Sequence, residues 1–504
     1  MKVKNAIEKY SYYLDKVNRD AYKHIYMLSN PTLSKNPYTK TRFLHNIISG
    51  KKEKNNIIKS FFLFYIRNIT LFALLLPVFV YSRVFYNRSK RKKKIGREIV
   101  LIDSFYGESE LGSGILKKDK YFKQLYDYFD QEGISYYLAP KFYGFKSPLK
   151  YISFYSIFNR DEADSFVDIS IIQWQDLLKV IQFIVVYPFS VLSLINAVRN
   201  RQEIDKTYKQ DLIYSLTGTD FYPYFRYIFG RRLSKMFVGK RVKVISWCEN
   251  QVNDKNFYKG LRVYSKEVKI YGAQFLFKFP TYACLYVPEQ DKKLGISPDI
   301  LLVTGKYYIP ADSVYEYRSG PAFRYSKIRD TEYKIETNQK IIVMLPYVQK
   351  DAFNIINIMQ RSTVFMEKEI HFKVHPIFKD MKPNYLSEMK GKKWELIDEI
   401  SEQAKYSFVI SSGSGSSLEF SCLGLSAVII SSNSEFTTNP MPETGKRENW
   451  DIVKDANDLE KVYKNLLNFR VNQRPIFEKN VIFYRDSFLS EINDETIKFN
   501  FDFK

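Results

Sequence analysis

Residues 406–420, YSFVISSGSGSSLEF, and residues 371–376, HFKVHP, decide the reading of this chain. Each is a short apolar run that breaks into a loop of chemistry-bearing residues. The first loop is Ser411-Ser412-Gly413-Ser414-Gly415-Ser416-Ser417, and the second is His375-Pro376. Around them the same rhythm repeats. KIIVML (340–345) predicts a strand and DAFNIINIMQR (351–361) a helix. WELI (394–397) and SAVII (426–430) predict further strands, with helical LEFSCLGL (418–425) between the serine loop and the last of them. Strands that alternate with helices build a parallel sheet covered on both faces.

Upstream, REIVLIDS (97–104) predicts a strand. A Gly-rich turn, GESELGSG (107–114), and a helical stretch over 117–129 follow it. ISYYL (134–138), DLIYS (211–215), VKVISW (242–247), VKIY (268–271) and ILLV (300–303) read as strands, and 222–237 and 255–264 as helices. The expected fold class is therefore α/β, with two facing Rossmann-like doubly wound domains and an N-terminal helical, membrane-associated extension. The expected boundaries are 1–96 for the extension and 97–310 for the first domain. A connector follows over 311–338, then the second domain over 339–475 and a C-terminal helical tail over 476–504.

The chain of 504 residues is long enough for two cores. Its 45% hydrophobic and 26% charged content excludes a disordered or fibrous class. Lys and Arg at 78 against Asp and Glu at 55 give a formal charge of +23, which points to anionic company. Three cysteines and four histidines are too few and too scattered for a disulfide framework or a metal cluster, so neither a metal nor a resident cofactor is expected.

Two apolar belts stand out. Residues 61–82, FFLFYIRNITLFALLLPVFVYS, are long enough to span a bilayer. They contain Arg67, Asn68 and Pro77, and cations flank them on both sides: Lys51, Lys52, Lys54 and Lys59 before, and Arg83, Arg88, Lys90–Lys94 and Arg97 after. A spanning helix usually has one basic side. A helix lying in an anionic interface suits this pattern better, each cation there adding about 1 kcal/mol. The second belt, 177–198, has its own central Pro188. The plainer reading of both belts is as buried core helices. No nucleic-acid motif accompanies the basic run, so nucleic acid is not an expected partner. The first twenty residues hold no apolar run of signal-peptide type, so the expected location is the cytoplasmic face of the cytoplasmic membrane.

In open parallel sheets a ligand lies beyond the carboxyl ends of the strands. His375 would project there, able to donate to a phosphate or to protonate a leaving oxygen. The serine loop has the composition of a phosphate cradle: small residues for close approach, hydroxyl donors and a following helix N-terminus. No Gly-Lys-Ser/Thr closes it as a Walker A loop. On the other domain a general base is needed for an acceptor hydroxyl. Glu249, at the end of VKVISW, is the first candidate, and Asp220 in TGTDFY and Glu108 in GESELGSG are the others. For each, an ordinary salt-bridged or solvated carboxylate is the competing reading.

His375-Pro376 followed by the serine loop and Glu419 resembles bacterial nucleotide-sugar glycosyltransferases of GT-B architecture, especially sialyltransferases and capsule or lipopolysaccharide transferases with His-Pro and Ser-Ser motifs. WCENQVNDKNFYKGLR (247–262), YGAQ (271–274) and PDILLVTGKYY (298–308) are similar to surface-polysaccharide biosynthesis proteins. The resemblance covers roughly residues 98–465. It implies that 97–310 is the acceptor domain and 339–475 the nucleotide-sugar-binding domain. His375 would contact the nucleotide phosphate and Pro376 would shape its loop. Ser414 most nearly matches the phosphate-binding serine, with Ser412 and Ser416 beside it and Gly413 and Gly415 as spacers; this spreading of serines between two glycines departs from the family pattern. Glu419 falls where an acidic residue meets the ribose. The expected activity is metal-independent glycosyl transfer from a nucleotide-sugar, possibly CMP-linked, to a lipid-linked glycan acceptor at an anionic membrane surface. A glycerol- or ribitol-phosphate transferase of teichoic-acid type is the alternative, and a non-catalytic scaffold in polysaccharide assembly is another.

Overall fold

The computed structural model describes residues 22, 24–33, 56–85, 96–107, 119, 121–142, 147–160, 164–198, 203–279, 285, 287–336, 340–375, 389–391, 393–400, 406–433 and 437–504. Two six-stranded sheets organise it. The first contains β1 (Glu98–Asp103), β3 (Tyr136–Leu138), β5 (Arg241–Trp247), β6 (Val268–Gln274), β7 (Ile300–Val303) and β8 (Glu316–Ser319), in the order β3-β1-β5-β6-β7-β8. The second contains β9 (Ile341–Met344), β10 (Ile370–Lys373), β11 (Trp394–Ile397), β12 (Phe408–Ser411), β13 (Ser426–Ile430) and β14 (Trp450–Val453), in the order β11-β10-β9-β12-β13-β14. Every pairing is parallel. A two-stranded parallel piece, β2 (Phe105–Tyr106) with β4 (Lys141–Phe142), continues the ends of β1 and β3.

Central strands such as VII and FVI are apolar at consecutive positions because both faces of each sheet are covered. All of β7, β12 and β13 is buried. The second sheet has the strand order of dinucleotide-binding folds, with its connections reversing direction between β9 and β12; in the first sheet the reversal lies between β1 and β5. This is the expected pair of doubly wound domains, with two corrections. The stretch 311–338, read as connector, contributes β8 to the first sheet. DLIYS is not a strand but part of a helix, Glu203–Gly218. Its neighbours explain why: Tyr208, Leu212 and Leu216 recur at helical spacing and are fully buried.

The helices used below are α1 (Ile57–Phe85), α2 (Lys123–Glu132), α3 (Pro148–Arg160), α4 (Trp174–Ala197), α5 (Glu203–Gly218), α6 (Tyr222–Met236), α7 (Val252–Leu261), α8 (Gln349–Gln360), α9 (Ser416–Ser421), α10 (Ala456–Asn472), α11 (Arg474–Phe488) and α12 (Asp494–Phe501). Both apolar belts are helical, continuous through Pro77 and Pro188. Helix α1, at the end of the stretch read as an extension, is docked on the first domain. Phe64 stacks on Tyr187 at 5.4 Å, Phe79 meets Trp174 edge-on at 4.7 Å, and Asn68 donates to the Thr219 carbonyl at 3.2 Å. The contacts of Phe61 with Phe189 and of Phe79 with Trp174 make α1 and α4 antiparallel neighbours. Their outer faces keep apolar residues in solvent: Ile58, Phe62, Ile66 and Ile69 on α1, and Trp174, Leu178, Val185 and Phe189 on α4.

The tail returns to the first domain. Ile497 and Phe501 of α12 enter its core, and Asp502 bonds to Lys269, Tyr271 and Arg318. Between the domains, Phe277 and Tyr325 stack at 4.2 Å and share an apolar cluster with Leu418, Tyr484 and Phe488.

Candidate functional site

The carboxyl edges of the two sheets confront one another. The loop after β6 reaches the loop after β12: a Cβ at Gly415 would lie 3.7 Å from Phe277, 4.0 Å from Phe279 and 3.8 Å from Glu419 Oε1. Gly415 thus sits where the serine loop touches the opposite domain.

On the second domain, β10 and β12 both flank β9, with Lys373 and Ser411 each in register with Met344. Loops leaving these three strands therefore share one edge. His375 follows β10, Tyr347 follows β9, and Ser412 to Gly415 follow β12. Neighbouring strands lie about 4.8 Å apart, so the His375 loop and the serine loop are separated by the β9 loop, roughly two strand spacings across. The Tyr347 and His375 rings are 5.8 Å apart. His375 is half-buried, and desolvation lowers its pKa, favouring the neutral imidazole. Pro376 lies outside the described residues.

Within the serine loop, Ser411 Oγ and Ser417 Oγ are 2.5 Å apart and buried, so they close the base of the loop. Ser414 Oγ accepts from the Ser416 N–H at 3.2 Å. Gly413 has φ +61°, a left-handed conformation suited to glycine, and a Cβ there would come within 2.5 Å of Thr438 Oγ1. Ser412 is buried, whereas Gly413 to Ser416 are partly exposed. Glu419 projects from α9. Burial raises its pKa, and Arg324 opposes that shift.

On the first domain, Glu249 follows β5 at the reversal of strand order. It is half-buried; Trp247 Nε1 donates to its Oε1 at 3.1 Å and Gln251 Nε2 to its Oε2 at 2.6 Å. The Tyr121 ring lies over Trp247 at 4.1 Å. Arg324 lies in the turn after β8, exposed, with its guanidinium over the Tyr325 ring. Desolvation opposes its charge, but Tyr325, Glu419, Tyr121 and Glu249 outweigh it and its pKa is raised. Glu249 and Glu419, from opposite domains, thus share one guanidinium in their surroundings.

The other candidate bases fare differently. Asp220 lies in the turn between α5 and α6 and accepts from Arg67 at 3.0 Å. Burial raises its pKa, and Arg67 opposes the shift. It is ion-paired with Arg67 of α1. Glu108 lies outside the described residues. Among the described residues no group of three or more His, Cys, Asp or Glu side chains is placed to hold a metal ion.

Arg324 and the Phe277–Phe279 wall were not singled out by sequence reasoning. Arg324 lies in PAFRYSK (321–327), and no local pattern distinguishes it from many exposed arginines. A buried ionic network behind Glu249 was missed too. Lys141 pairs with Asp103 at 2.9 Å and Asp254 at 2.7 Å, and Arg226 pairs with Asp103 at 2.7 Å. Desolvation works against the Lys141 charge, but the two aspartates overcome it and raise its pKa. Asp254 also accepts from the Glu249 and Gln251 N–H groups, both at 3.1 Å. The network therefore fixes the turn that carries Glu249.

No family model matches the chain, and no curated protein matches it at a significant level. Among solved structures it is similar to the wall teichoic acid polymerase TagF, at 9% identity over 89% of this chain and 97% of that one, with a TM-score of 0.36. It is also similar to a putative UDP-N-acetylglucosamine 2-epimerase from Listeria monocytogenes, at 11% identity over 78% and 93%, TM-score 0.37. S. aureus MnaA, solved with UDP, gives 10% identity over 81% and 98%, TM-score 0.39. At these identities and scores the architecture rests on the two sheets themselves.

Proposed function

We propose that the protein is a membrane-surface glycosyltransferase that moves a sugar from a nucleotide-sugar donor to a lipid-linked or growing surface glycan. The observation that carries the proposal is the confrontation of the two carboxyl edges, with the serine loop against Phe277 and Phe279.

In this reading the donor phosphate occupies the crevice between β9 and β12. Backbone N–H groups and hydroxyls of Ser412, Ser414 and Ser416 receive it, and His375 donates to it or protonates the leaving oxygen. Glu419, whose pKa burial raises, sits beside this loop as a partner for ribose hydroxyls. Glu249 takes the proton of the acceptor hydroxyl as that oxygen attacks the anomeric carbon, and the bond from that carbon to the phosphate oxygen breaks. Arg324 offsets negative charge developing between the domains. The apolar outer faces of α1 and α4, with the cations of the first belt, support docking on an anionic cytoplasmic membrane surface.

Nucleotide binding tests the proposal directly. CMP, CDP, UDP or GDP at about 100 times Kd should stabilise the native chain by about 2.7 kcal/mol, seen as a raised Tm. Loss of that shift in His375→Ala, together with loss of transfer at unchanged Tm, is expected. Wild-type transfer by His375→Ala, or no stabilisation by any nucleotide, would overturn it. Labelled nucleotide-sugars against CDP-glycerol in the same assay separate glycosyl transfer from phosphoalcohol transfer.

A further inference from the structure

Glu249 is held at both carboxylate oxygens. Trp247, fully buried, donates its indole Nε1–H to Oε1 at 3.1 Å, and Gln251 donates an Nε2–H to Oε2 at 2.6 Å. Two donors on separate oxygens fix the plane of the carboxylate. An ionised carboxylate offers about four lone-pair sites, so each oxygen keeps capacity for a further donor. Glu249 itself is half-buried rather than sealed.

The backbone beneath this clamp is fixed by a second set of bonds. The N–H groups of Glu249 and Gln251 converge on Asp254 Oδ2, both at 3.1 Å, and Asn250 between them takes φ +54°. A non-glycine residue persists in the left-handed region where its surroundings over-determine it. Asp254 does so here, and Lys141 in turn holds Asp254 at 2.7 Å and the Trp247 carbonyl at 2.8 Å.

The residue type at 251 is informative. Gln251 stands at the N-cap of α7, its own N–H bonded to the Asp254 side chain. Capping alone favours Asn, Asp, Ser or Thr, whose shorter side chains turn back onto the helix. The additional methylene of glutamine is what carries Nε2 to Glu249. We infer that Gln251 and Trp247 are positioning residues: they lock the Glu249 carboxylate in the plane in which its remaining lone pairs meet the acceptor hydroxyl. The inference rests on the reading of Glu249 as general base and adds the device that aims it.

The test uses the full-length chain, isotope-labelled at the indole nitrogens of its four tryptophans, with Trp247→Phe identifying the Trp247 signal. Gln251→Met keeps the length of the side chain and removes the donor. Gln251→Asn keeps a good N-cap and loses the reach. Either variant frees the carboxylate, so the Trp247 indole signal should move towards the position it takes in Glu249→Ala. Added to Glu249→Ala, neither should move it further, because coupled residues are not additive. With radiolabelled CMP-, UDP- and GDP-sugars as donors, both variants should lose about 10–100-fold in kcat at unchanged donor KM, the cost of a misplaced group. Gln251→Asn should do so at unchanged Tm. A purely capping role predicts wild-type kcat in Gln251→Asn, and that result would overturn the inference. So would indole shifts of the same size with and without the Glu249 carboxylate. Failure of the underlying reading looks different: Glu249→Ala transfers at the wild-type rate, or no donor is turned over, and the clamp loses its role together with the base. Wild-type kcat in both Gln251 variants beside an inactive Glu249→Ala refutes the clamp alone.

Discussion

The two sheets turn the same kind of edge towards one cleft and furnish it in opposite ways. Where strand order reverses in the first sheet, two acids and two bases (Asp103, Asp254, Lys141 and Arg226) are all nearly or fully buried and bonded to one another. Ser246 and Tyr258 extend the network, Ser246 Oγ donating to Asp103 at 2.6 Å and Tyr258 OH to Ser246 at 2.8 Å. Where it reverses in the second sheet, the strand ends give way to serines, glycines and a half-buried imidazole. The first crevice spends its charge on holding the Glu249 turn still. The second keeps hydroxyls and N–H groups at a partly exposed loop, where an anion can reach them. One side is a built support for a carboxylate, and the other is an open cradle.

The hardest break of that contrast is at Asp103. Removing one partner of a buried ionic group leaves uncompensated charge, so Asp103→Ala should cost about 3–5 kcal/mol in urea denaturation. Ser414→Ala, on the partly exposed loop, should stay within about 0.5 kcal/mol while weakening nucleotide-induced stabilisation. A comparable stability loss at Ser414 would mean that both crevices are structural. Gly413→Ala falls between them. The left-handed backbone alone costs a non-glycine residue about 1–2 kcal/mol, and the close approach to Thr438 adds to it. A Gly413→Ala chain as stable as wild type would show that the loop relaxes freely and is not a preformed cradle.

The same contrast explains what the sequence made legible. The second domain was readable because most of its central strands are apolar runs and its loops announce themselves by composition; KIIVML, HFKV, YSFVI and SAVII all overlap strands of the sheet. His375 and the serine loop could be placed on one edge by strand-end logic alone. In the first domain, DLIYS misled because a five-residue window shows only a short apolar run between polar ends, where the longer stretch from Tyr208 to Leu216 shows helical spacing. Strand β8, EYRS, hid because an edge strand is only half-buried and need not be apolar. Asp103, Lys141, Arg226 and Asp254 are far apart in sequence and meet only when β1, β4, α6 and α7 pack. Their burial cannot be read from residue types that are usually exposed. Arg324 was missed for a different reason: it stays exposed, and nothing in its local pattern marks it.

Smaller effects should appear in the pH dependence, where the cradle carries two groups that titrate in opposite senses. Burial raises the pKa of Glu419, against the pull of Arg324, so the folded chain holds that proton more tightly than the unfolded chain. The corresponding stability is full below the ordinary Glu value of about 4.3 and is lost as pH rises through the folded value. Burial lowers the pKa of His375. Its contribution is full above the ordinary His value of about 6.5 and is lost as pH falls through the folded value. Glu419→Gln should therefore gain Tm relative to wild type as pH rises above about 4.3, while His375→Ala should gain relative to wild type as pH falls below about 6.5. Nucleotide sharpens the second slope. A bound phosphate favours the imidazolium, so binding near neutral pH should take up a proton, measurable by calorimetry in buffers of different ionisation enthalpy. His375→Ala should abolish that uptake. Equal uptake in the variant would place the anion away from the imidazole, and the serine loop alone would then account for the grip.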